Sequence, residues 1–138
     1  MTVSKQVDVL VIGAGISGID VAYRLLERCP ASTWLILESR DRVGGTWDLF
    51  RYPGVRSDSD MFTLGFPFRP WRSDQAIVAG DAIRQYVEET ARELGIFERI
   101  LFDHQVTRAS WSSTKCEWTV DTIRGRFTSN FLYLATGY

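Results

Sequence analysis

The hydrophobic pattern changes period several times along the chain, and each change marks an element. Residues 7–12 are a nearly continuous apolar run rich in Val and Ile, which predicts a parallel strand covered on both faces. The run leads straight into Gly13-Ala14-Gly15-Ile16-Ser17-Gly18. Beyond those glycines Ile16, Ile19, Tyr23 and Leu26 recur every three or four positions, the spacing of one helix face, and Pro30 sets the latest point at which that helix ends. Residues 33–37 predict a second buried strand, with Glu38 directly after it. Strand, helix and strand make one βαβ unit.

Residues 39–79 sustain no period but carry Gly44-Gly45, Tyr52-Pro53-Gly54, Pro67 and Pro70. So long a loop with so many aromatics reads as functional or as an ordered lid. Trp47, Tyr52, Phe62, Phe66, Phe68 and Trp71 would form, in part, a hydrophobic cluster beneath it. Helical spacing returns with Ile83, Tyr86, Val87, Thr90, Ala91 and Leu94, with Asp81 in the first turn and Gly95 just past the end. The charged face of Arg84, Glu88 and Arg92 is expected to be solvated. Residues 105–111, 116–121 and 125–128 then predict a small three-stranded antiparallel meander. A final buried-strand pattern at 131–135 precedes Thr136-Gly137-Tyr138. The fold class expected is α/β: a parallel sheet with flanking helices plus the meander, in one domain of residues 1–138.

Composition narrows the chemistry by exclusion. The chain is 45% hydrophobic and 24% charged, with a formal net charge of -1, ordinary values for a globular domain. Without a dense run of Lys or Arg there is no electrostatic footprint for nucleic acid or an anionic membrane. No apolar run approaches the roughly 20 residues needed to cross a bilayer, and residues 7–12 are too short for a signal segment. Cys29 and Cys116 are far apart and outside any C-x-x-C pattern, which predicts two reduced, packing cysteines, no metal site and a cytoplasmic protein.

The glycine turn carries the first positive chemistry. In a G-x-G-x-x-G between strand and helix, Gly13 permits the tight turn, Gly15 lets backbone approach a pyrophosphate, and Gly18 allows close packing of helix on strand. Ala22 keeps that contact close. The N–H groups around Ile16 and Ser17, at the positive end of the helix, then face the phosphates. Glu38, about 20 residues on, is placed to accept hydrogen bonds from both hydroxyls of an adenosine ribose and to repel a 2′-phosphate. These features predict a dinucleotide site and leave NAD and FAD open, because both present an ADP half.

The stretch Glu38-Ser39-Arg40-Asp41-Arg42-Val43-Gly44-Gly45-Thr46-Trp47 resembles the E-x-R-x-x-x-G-G segment of flavoproteins with two dinucleotide-binding domains. With Arg51-Tyr52-Pro53-Gly54-Val55-Arg56-Ser57-Asp58 and the closing Leu134-Ala135-Thr136-Gly137-Tyr138, the chain is similar to class B flavoprotein monooxygenases, which include Baeyer-Villiger and flavin-containing monooxygenases. The resemblance covers nearly all of the chain. It implies a Rossmann-like FAD-binding segment, incomplete relative to the family, with FAD as cofactor. It also implies Gly44, Gly45, Thr46 and Trp47 at the cofactor, Tyr52 beside the flavin ring, and the Val106 backbone near the adenine. Ala135, Thr136 and Gly137 would lie where the sheet leaves the FAD domain. Asp58 would sit near flavin and nicotinamide and orient a catalytic arginine from elsewhere. His104 is expected to be structural.

In a complete protein of this kind NADPH reduces FAD, and one atom of O2 passes to a small organic substrate, either by Baeyer-Villiger oxidation or by oxygenation at nitrogen or sulfur. Residues 1–138 hold one G-x-G-x-x-G motif and no F-x-G-x-x-x-H-x-x-x-W-P fingerprint, so the NADPH-binding domain is expected to lie outside them and these residues alone to be inactive. Two other readings stay open: a flavin- or nucleotide-binding module that works with a separate partner chain or as a homo-oligomer, and a noncatalytic truncated product.

Overall fold

The structure, a computed structural model, describes residues 3–138. Its frame is one six-stranded sheet in the order β3-β2-β1-β6-β5-β4. β1 (Val3–Ile12), β2 (Trp34–Leu37), β3 (Ile100–Leu101) and β6 (Arg126–Leu134) run parallel; β5 (Glu117–Thr122) and β4 (Val106–Ser112) continue the sheet antiparallel from β6. β1 is central, pairing with β2 through Val9 to Ile12 and with β6 along almost its whole length. The apolar run at residues 9–12 follows from that position, since both faces are covered there.

Two faces of side chains leave β1 and β2. Val11, Trp34 and Ile36 pack against helices α1 (Ile16–Arg28) and α4 (Gly80–Glu93), through Ile19, Ala22, Ile83, Val87 and Ala91. Leu10, Ile12, Leu35 and Leu37 face the other way, against Val120 and Phe127. Both principal helices therefore lie on one face, and the second face holds a smaller apolar cluster drawn from the strands themselves, while Phe131, Tyr133 and Leu134 at the end of β6 stay exposed. Past the cap residue Leu94, Gly95 takes a positive φ of 68°, the expected end of α4.

The long loop is held by aromatic stacking. Tyr23 of α1 stacks on Phe68 at 3.7 Å, Phe68 lies 4.9 Å from Phe66, and Phe66 and Trp71 flank Tyr86 of α4 at 5.6 and 5.5 Å. The Tyr86 hydroxyl accepts from the Phe66 N–H at 2.8 Å and donates to the Arg69 carbonyl. Phe66, Phe68, Trp71 and Trp47 thus belong to the expected cluster, whereas Tyr52 and Phe62 are exposed.

Several expectations are corrected. Residues 125–128 and 131–135 are not two strands: β6 runs unbroken through both, pairing with β5 on one side and β1 on the other, so the meander is the edge of the main sheet rather than a separate unit. Asn130 breaks the apolar pattern without breaking the ladder, because backbone pairing does not depend on side-chain polarity. Two short helices interrupt the loop, α2 (Thr46–Leu49) and α3 (Met61–Leu64), each a single turn too brief to show a period. β3, two residues long, is likewise too brief to show a period. Cys29 and Cys116 are exposed rather than packed. Arg84 is not a solvated residue: its side chain is 23% exposed and lies against Gly44, while it heads an ion-pair ladder with Glu88 and Arg92.

Candidate functional site

The C-terminal ends of β1, β2 and β6 meet at a cleft of about 580 Å³, and the glycine turn forms its floor. Each glycine has its own geometric cause. Gly13 has a φ of 109°, and a Cβ there would come within 2.2 Å of the Ala135 carbonyl oxygen on β6's exit. A Cβ on Gly18 would come within 1.9 Å of the Gly13 carbonyl oxygen, so α1 could not rest on the turn. At Gly15 the neighbour is a second glycine: a Cβ there would meet Gly45 Cα at 3.4 Å, and one on Gly45 would meet Gly15 Cα at 2.9 Å. The Gly44 N–H donates to the Ala14 carbonyl at 3.0 Å, joining the two turns back to back.

The first helical hydrogen bond of α1 runs from the Ile19 N–H to the Gly15 carbonyl, and the cap residue Gly15 contributes no side chain. The N–H groups of Ile16, Ser17 and Gly18 therefore have no partner within the helix, and Ile16 and Ser17 line the cleft. That combination of free donors and the positive helix end accommodates an anion.

Glu38 ends β2 inside the cleft wall and is 5% exposed. Its Oε2 accepts from the Ala14 N–H at 2.8 Å; its Oε1 accepts from the Arg40 N–H at 3.0 Å and the Ser39 hydroxyl at 3.2 Å. Three donors fix the carboxylate while leaving acceptor capacity, since a carboxylate offers about four lone-pair sites. The loop after β3 closes this end: the His104 N–H donates to the Glu38 carbonyl at 2.8 Å, and Nδ1 of His104 lies 2.6 Å from the Phe102 carbonyl. His104 thus has the expected structural tie and also lines the cleft.

Of the residues singled out from the sequence, Gly13, Gly15, Ile16, Ser17, Glu38, Ser39, Arg40, Gly44, Gly45, Thr46, Trp47, Val106, Ala135, Thr136 and Gly137 all line this one cleft. Gly18 sits behind it as the packing glycine. Tyr52 lines a neighbouring cleft of about 570 Å³ with Phe50, Val55 and Ile77, and Trp47 is common to both. Asp58 lines neither and is exposed, beside a buried Ser57 whose N–H donates to the Val78 carbonyl.

Sequence reasoning passed over Asp48. It is 1% exposed, on α2 directly after Trp47. Its Oδ2 accepts from Arg40 Nε at 2.9 Å and Nη2 at 2.7 Å, and its Oδ1 accepts from Arg51 Nη2. The Asp48 carbonyl accepts from the same arginines, at 3.2 and 2.9 Å. Burial pushes the Asp48 carboxyl up, but the hydrogen bonds from Arg40 and Arg51 outweigh it and hold the group below the usual carboxylate value. The available signal was an acid between two arginines in a glycine-rich loop, which sequence alone cannot tell from a solvated charge.

Among the described residues no group of His, Cys, Asp or Glu is placed to hold a metal ion, and no helix is long and apolar enough to cross a membrane. Residues 11–74 match the family described as NAD(P)-binding Rossmann-like domain. The chain is 50% identical over 139 aligned residues to the FAD-containing monooxygenase EthA of Mycobacterium tuberculosis (strain ATCC 25618 / H37Rv), covering 98% of this chain and 28% of that protein. Among solved structures it superimposes on an oxidised steroid monooxygenase bound to NADP with a TM-score of 0.88 and 33% identity, over 96% of this chain and 26% of the other. It superimposes also on OTEMO in complex with FAD and NADP, with a TM-score of 0.86 and 28% identity, over 99% and 26%. The chain spans about 28% of the length of the curated relatives it matches.

Proposed function

For a chain homologous to part of the FAD-containing monooxygenases, we propose that residues 1–138 are the segment that grips the ADP half of FAD in an NADPH- and O2-dependent oxygenase of small organic molecules. The observation that carries the reading is the pairing of two glycine turns, Gly13 to Gly18 and Gly44-Gly45, across a cradle with a fixed carboxylate at one end. An ADP half explains the first turn and Glu38, and both FAD and NAD supply one. The second turn leans toward FAD, because it extends the backbone-lined wall from the pyrophosphate toward Trp47 and the adjoining cleft.

The residues fit the group. The α1 N–H groups would take the pyrophosphate, and a Cβ at Gly15 or Gly45 would fill the space between the turns. Glu38 would accept from the ribose hydroxyls and repel a 2′-phosphate. The backbone around Val106 would border the adenine. Trp47 and Tyr52 would lie at the ring end, where the neighbouring cleft begins. Bound FAD would supply two-electron redox chemistry and reaction with oxygen. The share of these residues is to bind it, orient it and keep its phosphates out of water.

Asp58, exposed beyond Tyr52, is assigned the orientation of a cation supplied from outside these residues. NADPH and substrate would be held by other parts of the full-length protein, in the cytoplasm. The test is titration of the flavin-free full-length protein with FAD, with fluorescence quenching as readout. One FAD should bind per chain, ADP should compete with it, and FMN, which lacks the adenosine half, should bind far more weakly. An absence of saturable FAD binding, or FMN binding as tightly, sinks the proposal.

A further inference from the structure

The two clefts are walled by different parts of the loop after β2. Arg40 stands at the ribose end, two residues past Glu38, and its own N–H donates to the Glu38 carboxylate. Arg51 opens the segment that walls the neighbouring cleft. Nothing in the sheet ties these segments together. Trp47 borders both clefts, and the polar tie between the segments is one buried residue: Asp48 gives one carboxylate oxygen to Arg40, the other to Arg51, and its carbonyl to both. The knot also sits under the second glycine turn, since a Cβ on Gly44 would lie 3.2 Å from Asp48 Cβ.

We propose that Asp48 is a positioning residue that locks the ribose-end and ring-end walls of the cofactor site to one another. Binding of one end of the dinucleotide thereby finds the other end already arranged. The inference rests on the reading that the paired clefts take FAD. The chemistry requires all three partners. A carboxylate 1% exposed is costly to bury without compensating cations, and two guanidiniums converging on one position repel each other once the carboxylate is neutral. Loss of the charge therefore splays Arg40 and Arg51 apart, and the two walls with them. A ligand that touches only the ribose end feels half of this; a ligand that spans both ends feels all of it.

The experiment measures FAD and ADP affinity, and the visible circular dichroism of bound flavin, in the full-length protein and in Asp48→Asn, Arg51→Gln and the double variant. The expected result is that Asp48→Asn lowers FAD affinity by roughly tenfold or more relative to its effect on ADP, the usual size of an energetic coupling between two sites, and changes the flavin dichroism. Arg51→Gln should shift the FAD-to-ADP ratio the same way, and the double variant should be no worse than Asp48→Asn alone, because both cut one link. A merely structural Asp48 would lower thermal stability and weaken FAD and ADP equally, with the dichroism unchanged; that result, or additive single effects, overturns the inference. Should Asp48→Asn not fold, Arg51→Gln decides by the same ratio, its side chain being half exposed. Glu93→Gln, which breaks the ion pair with Arg69 at the end of α4 and lines neither cleft, should leave the ratio alone. Wild-type protein that does not bind FAD refutes the proposed function itself, whereas FAD binding with an unchanged ratio in Asp48→Asn refutes this inference alone.

Discussion

Alanine at Gly18 and at Gly15 should separate folding from binding within one six-residue turn. At Gly18 the added Cβ would lie 1.9 Å from the Gly13 carbonyl oxygen, and no flexible side-chain end is there to give way. Restoring contact distance means moving α1 off β1 by about 1.5 Å, which opens the packing around Ile19 and Ala22, both fully buried. Overpacking of this kind costs about 3 kcal/mol, which lowers Tm by roughly 10 °C in a chain of this size. At Gly15 the added Cβ meets Gly45 Cα at 3.4 Å, an ordinary contact, and φ is -85°, open to any residue. Alanine is a poorer N-cap than glycine by about 0.5 kcal/mol, but the stiffer unfolded chain returns about as much. Gly15→Ala should therefore melt within about 2 °C of wild type. It should nevertheless bind FAD at least tenfold more weakly, because the methyl occupies the wall a pyrophosphate must approach. Thermal melts by circular dichroism and FAD titration of both variants test this. Equal destabilisation by the two substitutions, or wild-type FAD affinity in Gly15→Ala, would refute the division of labour.

Glu38→Gln places an amide N–H₂ against one of the donors Ala14 N–H, Arg40 N–H or Ser39 hydroxyl, and should cost about 1–3 kcal/mol of stability as a buried mismatch. It should also lower FAD affinity about tenfold; competition by ADP, which must fall in parallel, is the check. Tyr86→Phe leaves the buried Phe66 N–H without its acceptor and should destabilise by about 1–3 kcal/mol in urea denaturation with FAD affinity unchanged; a matching loss of affinity would show that the aromatic cluster shapes the cleft. Acid should weaken the fold in part through Asp48. Its folded pKa is depressed, so its stabilisation is complete above the unfolded value of about 3.9 and is lost as pH falls through the folded value. Glu93 and Asp121, held low by hydrogen bonds from Arg69 and Arg126, act in the same direction. Urea midpoints should be flat above about pH 5 and fall below about pH 4, less steeply in Asp48→Asn; midpoints that rise on acidification would contradict this.

What the sequence discloses of this molecule is what local spacing encodes. The glycine turn, Glu38 and the second glycine pair are legible because each answers to its neighbours in the chain: a strand end, a helix start, a positive φ. Fifteen of the singled-out residues gather at one cleft because strands β1, β2 and β6 end there together, a consequence of parallel pairing. The continuity of β6 was hidden because Asn130 interrupts its apolar pattern, and a ladder is held by backbone groups that the side-chain pattern does not report.

Asp48 was hidden for a deeper reason. Its neighbours in space, Arg40 and Arg51, are eight residues before it and three after, and nothing periodic connects them. Charged residues in a loop read as solvated because most are, and only burial turns this one into a junction. The same logic separates Tyr52 and Asp58. Both fall in a motif that the sequence presents as one string, yet the chain turns between them, so Tyr52 walls the second cleft while Asp58 faces outward. A motif therefore fixes which residues travel together along the chain, and the knot at Asp48 decides which of them a single ligand can touch at once.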